Sequence, residues 1–108
     1  MEAELTTEST HLWSVFFTGK ARKQKTKLPP KIRSALDLLY GDLVQEGPER
    51  LNWPHYGQIV GKPDMYHCHL DKGAPRYVAV WKVTDKTENI MEVRYVGTHE
   101  NADYRRID

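Results

Sequence analysis

The run Met65-Tyr66-His67-Cys68-His69-Leu70 sets two imidazoles two residues apart. In an extended strand that spacing sends both to one face and Tyr66, Cys68 and Leu70 to the other. Further along stand Arg76 and the segment Gly97-Thr98-His99-Glu100-Asn101-Ala102-Asp103-Tyr104, which adds a third His, a carboxylate and a phenol. Imidazole titrates near neutrality and a guanidinium clamps phosphate through paired hydrogen bonds. His67, His69, Arg76, His99 and Tyr104 could therefore form an acid/base site for a phosphodiester, if adjacent antiparallel strands bring them together. Two other uses fit the same residues. The histidines could be polar partners on a solvated sheet face, with Tyr104 packed at its edge. Alternatively, His67, His69 and His99 could ligate a metal, although no spaced Cys pairs and no HExxH accompany them.

A second chemical signal is charge. Lys20 to Arg33 contains seven basic residues (Lys20, Arg22, Lys23, Lys25, Lys27, Lys31, Arg33) and no acidic one, whereas residues 1–10 carry three Glu and no base. The totals, sixteen basic against fifteen acidic residues, leave a formal charge of only +1. Bulk electrostatics thus does not announce a nucleic-acid binder. The basic segment reads either as the wet face of a helical pair or as a rim on which Lys20, Arg22, Lys23, Lys25 and Lys27 track an RNA backbone. Trp53, His55 and Tyr56 are core plugs or base-stacking surfaces, the plug being the better fit for Trp53. Cys68 alternates onto the core side of its strand and reads as a small hydrophobe rather than a nucleophile.

These residues need a scaffold, and the chain is long enough for one. Its 108 residues match a single compact domain, and 39% apolar content with three Trp and six Tyr supplies a core. One cysteine excludes a disulfide-stapled secreted domain and makes a reducing cytoplasm the default. The uncharged stretch from Leu12 to Gly19 is too short for a membrane span or a signal peptide. Residues 1–10 read as a disordered acidic leader, 11–104 as the domain and 105–108 as a tail.

Within the domain, His11–Phe17 is aromatic and branched and predicts a strand. Lys20–Lys27 suits a first helix, broken by Leu28-Pro29-Pro30. Ile32, Ala35, Leu36, Leu39 and Leu43 form a stripe of period 3.6, which predicts a second helix over Lys31–Glu46 that Gly47-Pro48 ends. Glu49–Lys62 predicts an irregular link. Met65–Leu70, Arg76–Val83 and Ile90–Gly97 predict three strands joined by hairpin-length connectors. The plan is α+β, in the order β-α-α-β-β-β. An N-terminal helical hairpin packs on one face of an antiparallel sheet, and the other face is left available.

FTGKARKQKTKLPPKIRSALDLL, GPERLNWPHYG, MYHCHLDKGAPRYVAVWKV and VRYVGTHENADY, in that order, resemble the RelE/ParE superfamily of bacterial type II toxin-antitoxin toxins. The likeness is to a RelE-like branch described as cytotoxic translational repressors, and it extends over about His11 to Tyr104. It implies the same β-α-α-β-β-β fold, cleavage of messenger RNA on the ribosome, repression of translation and neutralisation by a cognate antitoxin protein. Nuclease members carry an Arg on the strand after the loop, a second Arg on the next strand, and a His or Arg followed by a Tyr near the C-terminus. His69 stands at the first of these positions, Arg76 looks like the second, and His99 and Tyr104 resemble the last pair. Other members poison gyrase and some have no known toxicity, so a ParE-like gyrase inhibitor or a non-catalytic binding protein of the same fold is the alternative. For a nuclease, the resemblance implies attack by a 2′-OH with no metal or cofactor.

Overall fold

The computed structural model describes residues 12–107. The acidic leader expected over residues 1–10 and the first residue of the expected first strand lie outside that range. The elements run β1 (Ser14–Phe17), α1 (Gly19–Thr26), α2 (Pro30–Glu46), β2 (Gly57–Gln58), β3 (Met65–His69), β4 (Tyr77–Asp85) and β5 (Ile90–Thr98). The α+β plan and the element order follow the expectation, with β2 as an addition inside the segment expected to be irregular.

Five strands form one sheet in the order β1-β5-β4-β3-β2. β2 to β5 pair antiparallel, and β1 lies parallel to β5 with Ser14 opposite Ile90 and Phe17 opposite Val93. The sheet is therefore mixed rather than antiparallel throughout. The helical pair carries the chain from the end of β1 across one face, so the first and last strands become neighbours running the same way.

Both helices cover that face. α2 buries Ile32, Leu36, Leu39 and Leu43, four of the five stripe residues, against Cys68, Ala79, Trp81, Met91, Val93 and Val96 of the sheet. Pro30 opens α2 where a missing N–H costs nothing, and Gly47 ends it with φ of +94°. A Cβ at Gly47 would stand 3.0 Å from Trp13 Nε1, so a side chain there would press on Trp13 as well as strain the backbone. Trp81 has no exposed surface, and its indole N–H donates to the Pro48 carbonyl at 3.1 Å, which ties the end of α2 to the middle of β4.

α1 is polar and buries only Ala21. It is held by its ends and one side chain. Thr18 caps it, its hydroxyl accepting from Ala21 N–H at 3.1 Å. Gln24 Oε1 accepts from Val96 N–H at 3.1 Å, on the stretch of β5 beyond the reach of β1.

The second face is not left open. Ile59, Met65, Val78, Val80 and Tyr95 form a smaller core there, and Ala102, Tyr104 and Ile107 fold back over it. Lys62 Nζ fixes this segment by donating to the carbonyls of Arg105 and Ile107 at 2.9 and 2.6 Å. The physical reason lies in β4: Val78 to Trp81 are apolar at every position, so both faces need cover. At the end of this face near His69 a small cavity opens beside the exposed Arg76.

Candidate active site

The site lies where β3, β4 and β5 end together. His69 is opposite Val78, and Val78 is opposite Gly97, which sets one row across three strands. One step beyond, His99 N–H donates to the Arg76 carbonyl at 2.7 Å, so Arg76 and His99 form the next cross-strand pair. Alternation puts Arg76 on the same face as Val78, and hence as His69. The structure thus brings His69, Arg76 and His99 together, and the ring centroids of His69 and His99 are 5.4 Å apart.

His67 lies two residues back along β3 on the same face and is half-buried. Its ring is 5.3 Å from that of Tyr104, and Gly57 of β2 passes beside it. His67 Nδ1 and the Tyr104 hydroxyl are both buried without a hydrogen-bond partner among the described residues. The two are brought together with each other, under the C-terminal segment rather than at the open end.

A fourth imidazole joins the cluster. His55 stacks on His69 with ring centroids 4.2 Å apart and planes 30° from parallel. The loop that carries it is pinned on both sides. Trp53 is half-buried against the core and its indole N–H donates to Asp42 Oδ2 of α2 at 2.8 Å, the plug expected from the sequence. The Pro54 carbonyl accepts from His69 N–H at 2.8 Å. Tyr56 stacks beside Tyr66 and Trp81. His55, His69, Asp71, Lys72 and Arg76 line a cavity of about 150 Å³ at this end of the sheet. Asp71 Oδ1 also accepts from Tyr77 N–H at 3.0 Å and shapes the turn that delivers Arg76.

The electrostatics favour neutral imidazoles in the interior of the cluster. His69 is only 7% exposed. Burial first, then the charges of His55, His99, Arg76 and His67, hold it below the ordinary imidazole value. Burial, then His99 and His55, lower His67 in the same direction. Burial followed by Tyr95 and Cys68 raises the Tyr104 phenol, so it stays a hydrogen-bond donor at neutral pH. A neutral His69 offers an acceptor nitrogen, and an entering anion would pull its titration back upward. Cys68 is fully buried on the helix side, and burial pushes its thiol up to about 12, too high for a nucleophile.

No group of three His, Cys, Asp or Glu side chains among the described residues is arranged to hold a metal ion. The three-imidazole reading of His67, His69 and His99 has no geometric support, because His67 points under Tyr104 while His99 is exposed.

The basic segment divides between two sides of the molecule. Lys20 and Lys27 line a groove of about 480 Å³ with Gln24, Tyr77 and Thr98, next in sequence to Arg76 and His99. Arg22 and Lys25 instead line a groove of about 400 Å³ with Phe16, Asp37 and Tyr40, where Lys25 Nζ sits 5.1 Å from the Phe17 ring centroid. Lys23 is exposed on α1. The sequence left His55 open between plug and stacking surface and gave no role to Lys72. The signal that was available is a lone imidazole flanked by rigid residues in Trp53-Pro54-His55-Tyr56-Gly57.

Comparison with protein-family models finds no match, and comparison with curated protein sequences finds none either. Solved structures do match. The isolated E. coli RelE toxin superimposes with a TM-score of 0.65 at 21% identity, over 84% of this chain and 88% of that one. The RelE-RelB complex from the archaeon Pyrococcus horikoshii OT3 gives 0.66 at 15% identity, covering 84% and 99%. The toxin-antitoxin complex RelBE2 from Mycobacterium tuberculosis gives 0.59 at 22% identity, covering 82% and 99%. The chain has the RelE fold.

Proposed function

We propose that this chain is the toxin of a type II toxin-antitoxin pair, and that it represses translation in the cytoplasm by cutting messenger RNA on the ribosome. One observation carries the reading: on a RelE fold, Arg76 and His99 form a cross-strand pair beside the buried imidazole of His69, at the end of the sheet that solvent reaches. The RelB-bound and antitoxin-bound neighbours support a cognate antitoxin as the partner that silences it. No described helix is long and apolar enough to cross a membrane.

The chemistry follows from the groups present. A neutral imidazole removes the proton of a ribose 2′-OH, and that oxygen attacks the adjacent phosphorus in line. The bond from phosphorus to the 5′-oxygen breaks, and a protonated imidazole supplies the proton to the leaving oxygen. The products are a 2′,3′-cyclic phosphate and a 5′-OH, with no metal or cofactor involved. Arg76 stabilises the charge gathering on the phosphate, and His99 is one of the two proton carriers, its counterpart coming from the neighbouring imidazoles. Tyr104, expected to orient the phosphate or stack on a base, would act from beside His67. Lys20 and Lys27 hold RNA phosphates as the strand leaves past Tyr77, and Arg22, Lys23 and Lys25 meet phosphates from the outer side of α1.

The test is expression of the chain alone in growing bacteria, with the ends of ribosome-bound mRNA mapped. Growth should arrest and new 5′-OH ends should appear within translated codons. Arg76→Ala and His99→Ala should each lower cleavage by about a hundredfold or more. Intact mRNA with accumulating DNA breaks would point to a gyrase poison. Growth arrest unchanged in both variants would show that the site is misassigned.

A further inference from the structure

The cluster holds four imidazoles, yet in-line transfer uses two, one neutral and one protonated. We propose that the second catalytic imidazole is His55, and that His69 beneath it is a positioning residue; this rests on the nuclease reading above. His55 is exposed, at the mouth of the cavity that Arg76 lines, and it touches the same His69 ring that His99 touches. His69, at 7% exposure with an imidazole on either contact, has no room to meet a ribose. His67, half-buried, lies two residues back along β3 against Tyr104, with its Nδ1 enclosed. His55 and His99 are the two imidazoles at this end of the sheet that a phosphodiester can reach while Arg76 holds it.

The backbone supports the assignment. His55 has φ of +54°, a conformation uncommon for any residue with a side chain, although Asn, Asp and His enter it more readily than others. It is kept there by Trp53 on Asp42, by the Pro54 carbonyl on His69 N–H, and by the Tyr56 stack. Strain held by such over-determined anchoring is a feature of functional sites, where it fixes a group ahead of the reaction. The charged and titratable groups facing His55 are His67 and His69 from β3, Asp71 and Lys72 from the turn, Arg76 at the start of β4, and His99 after β5. Lys72 and Arg76 give this surrounding positive charge against the one carboxylate of Asp71, and a phosphate relieves it.

In the step, the 2′-OH proton passes to one of His55 and His99, the new bond forms between the 2′-oxygen and phosphorus, and the other imidazole's proton goes to the departing 5′-oxygen. The exchange balances without a co-reactant.

The decisive variant is His55→Asn, because Asn accepts positive φ and keeps the loop while removing the titrating group. In the full chain on mRNA-programmed ribosomes, kcat should fall about a hundredfold or more, and one limb of the bell-shaped pH profile should disappear. His69→Asn should keep both limbs with displaced midpoints, and should alter kcat more than KM. Wild-type cleavage and an intact bell in His55→Asn, with Arg76→Ala inactive, would overturn the role of His55 and leave the nuclease reading standing. A chain that cleaves nothing would sink both. A second measurement needs no turnover. Inorganic phosphate added to the wild-type chain should raise the NMR titration midpoints of His55 and His99 more than that of His67; an unmoved His55 would overturn the assignment.

Discussion

A buried imidazole resists taking up a proton, and this gives His67 and His69 a measurable effect on stability. Both are held below the ordinary value of 6.5, chiefly by burial. In the unfolded chain they titrate at that ordinary value. Above it both states are neutral and these residues impose no pH dependence. As pH falls through it, the unfolded state binds protons that the folded state refuses, so stability declines on acidification. Urea midpoints should therefore drop between about pH 7 and pH 5, and His67→Gln should flatten that drop. A variant with an unchanged slope would show that His67 is not the strained group. At this scale the sequence was informative where alternation rules: His67 and His69 share a face, and Cys68 lies in the core. It was silent on depth, because spacing along one strand does not reveal that Tyr104 returns to cover His67 or that His55 arrives from a loop.

Elements were legible in proportion to their apolar periodicity. α2 could be read because its stripe repeats over about three turns, and β3, β4 and β5 because branched and aromatic residues fill them. β2, two residues long, has no period to detect. The parallel neighbour of β1 was equally hidden, since a strand's own pattern does not name its partner. α1 is the weakest helix by burial, so its attachment rests on few groups. Gln24→Ala should strand the Val96 N–H on β5 and cost about 1–3 kcal/mol, read as a lower urea midpoint and faster hydrogen exchange at that amide. Exchange at Val96 no faster than in the wild type would mean that another group replaces Gln24.

For the whole molecule, a formal charge of +1 conceals an arrangement. Lys20 and Lys27 border the end of the sheet next to Arg76 and His99, whereas Arg22 and Lys25 sit by β1. For a single-stranded oligoribonucleotide, Lys20→Ala with Lys27→Ala should weaken binding and reduce the salt slope by about 0.7 per lost phosphate contact. Arg22→Ala with Lys25→Ala should leave that slope nearly intact if the strand follows the Tyr77 side. Equal losses from both pairs would mean that RNA wraps the whole of α1. The sequence offered the basic segment as one unit because it is continuous along the chain; helical rotation is what splits it.

The parallel seam between β1 and β5 also dictates when this molecule comes into being. Residues 14–17 wait for residues 90–93, and Arg76 meets His99 only through the last strand pair. During synthesis, then, no nascent fragment short of β5 possesses the paired guanidinium and imidazole, and closure draws on contacts of high sequence separation, which form late. A polypeptide cut short before residue 99 therefore lacks the pairing on which the proposed chemistry rests.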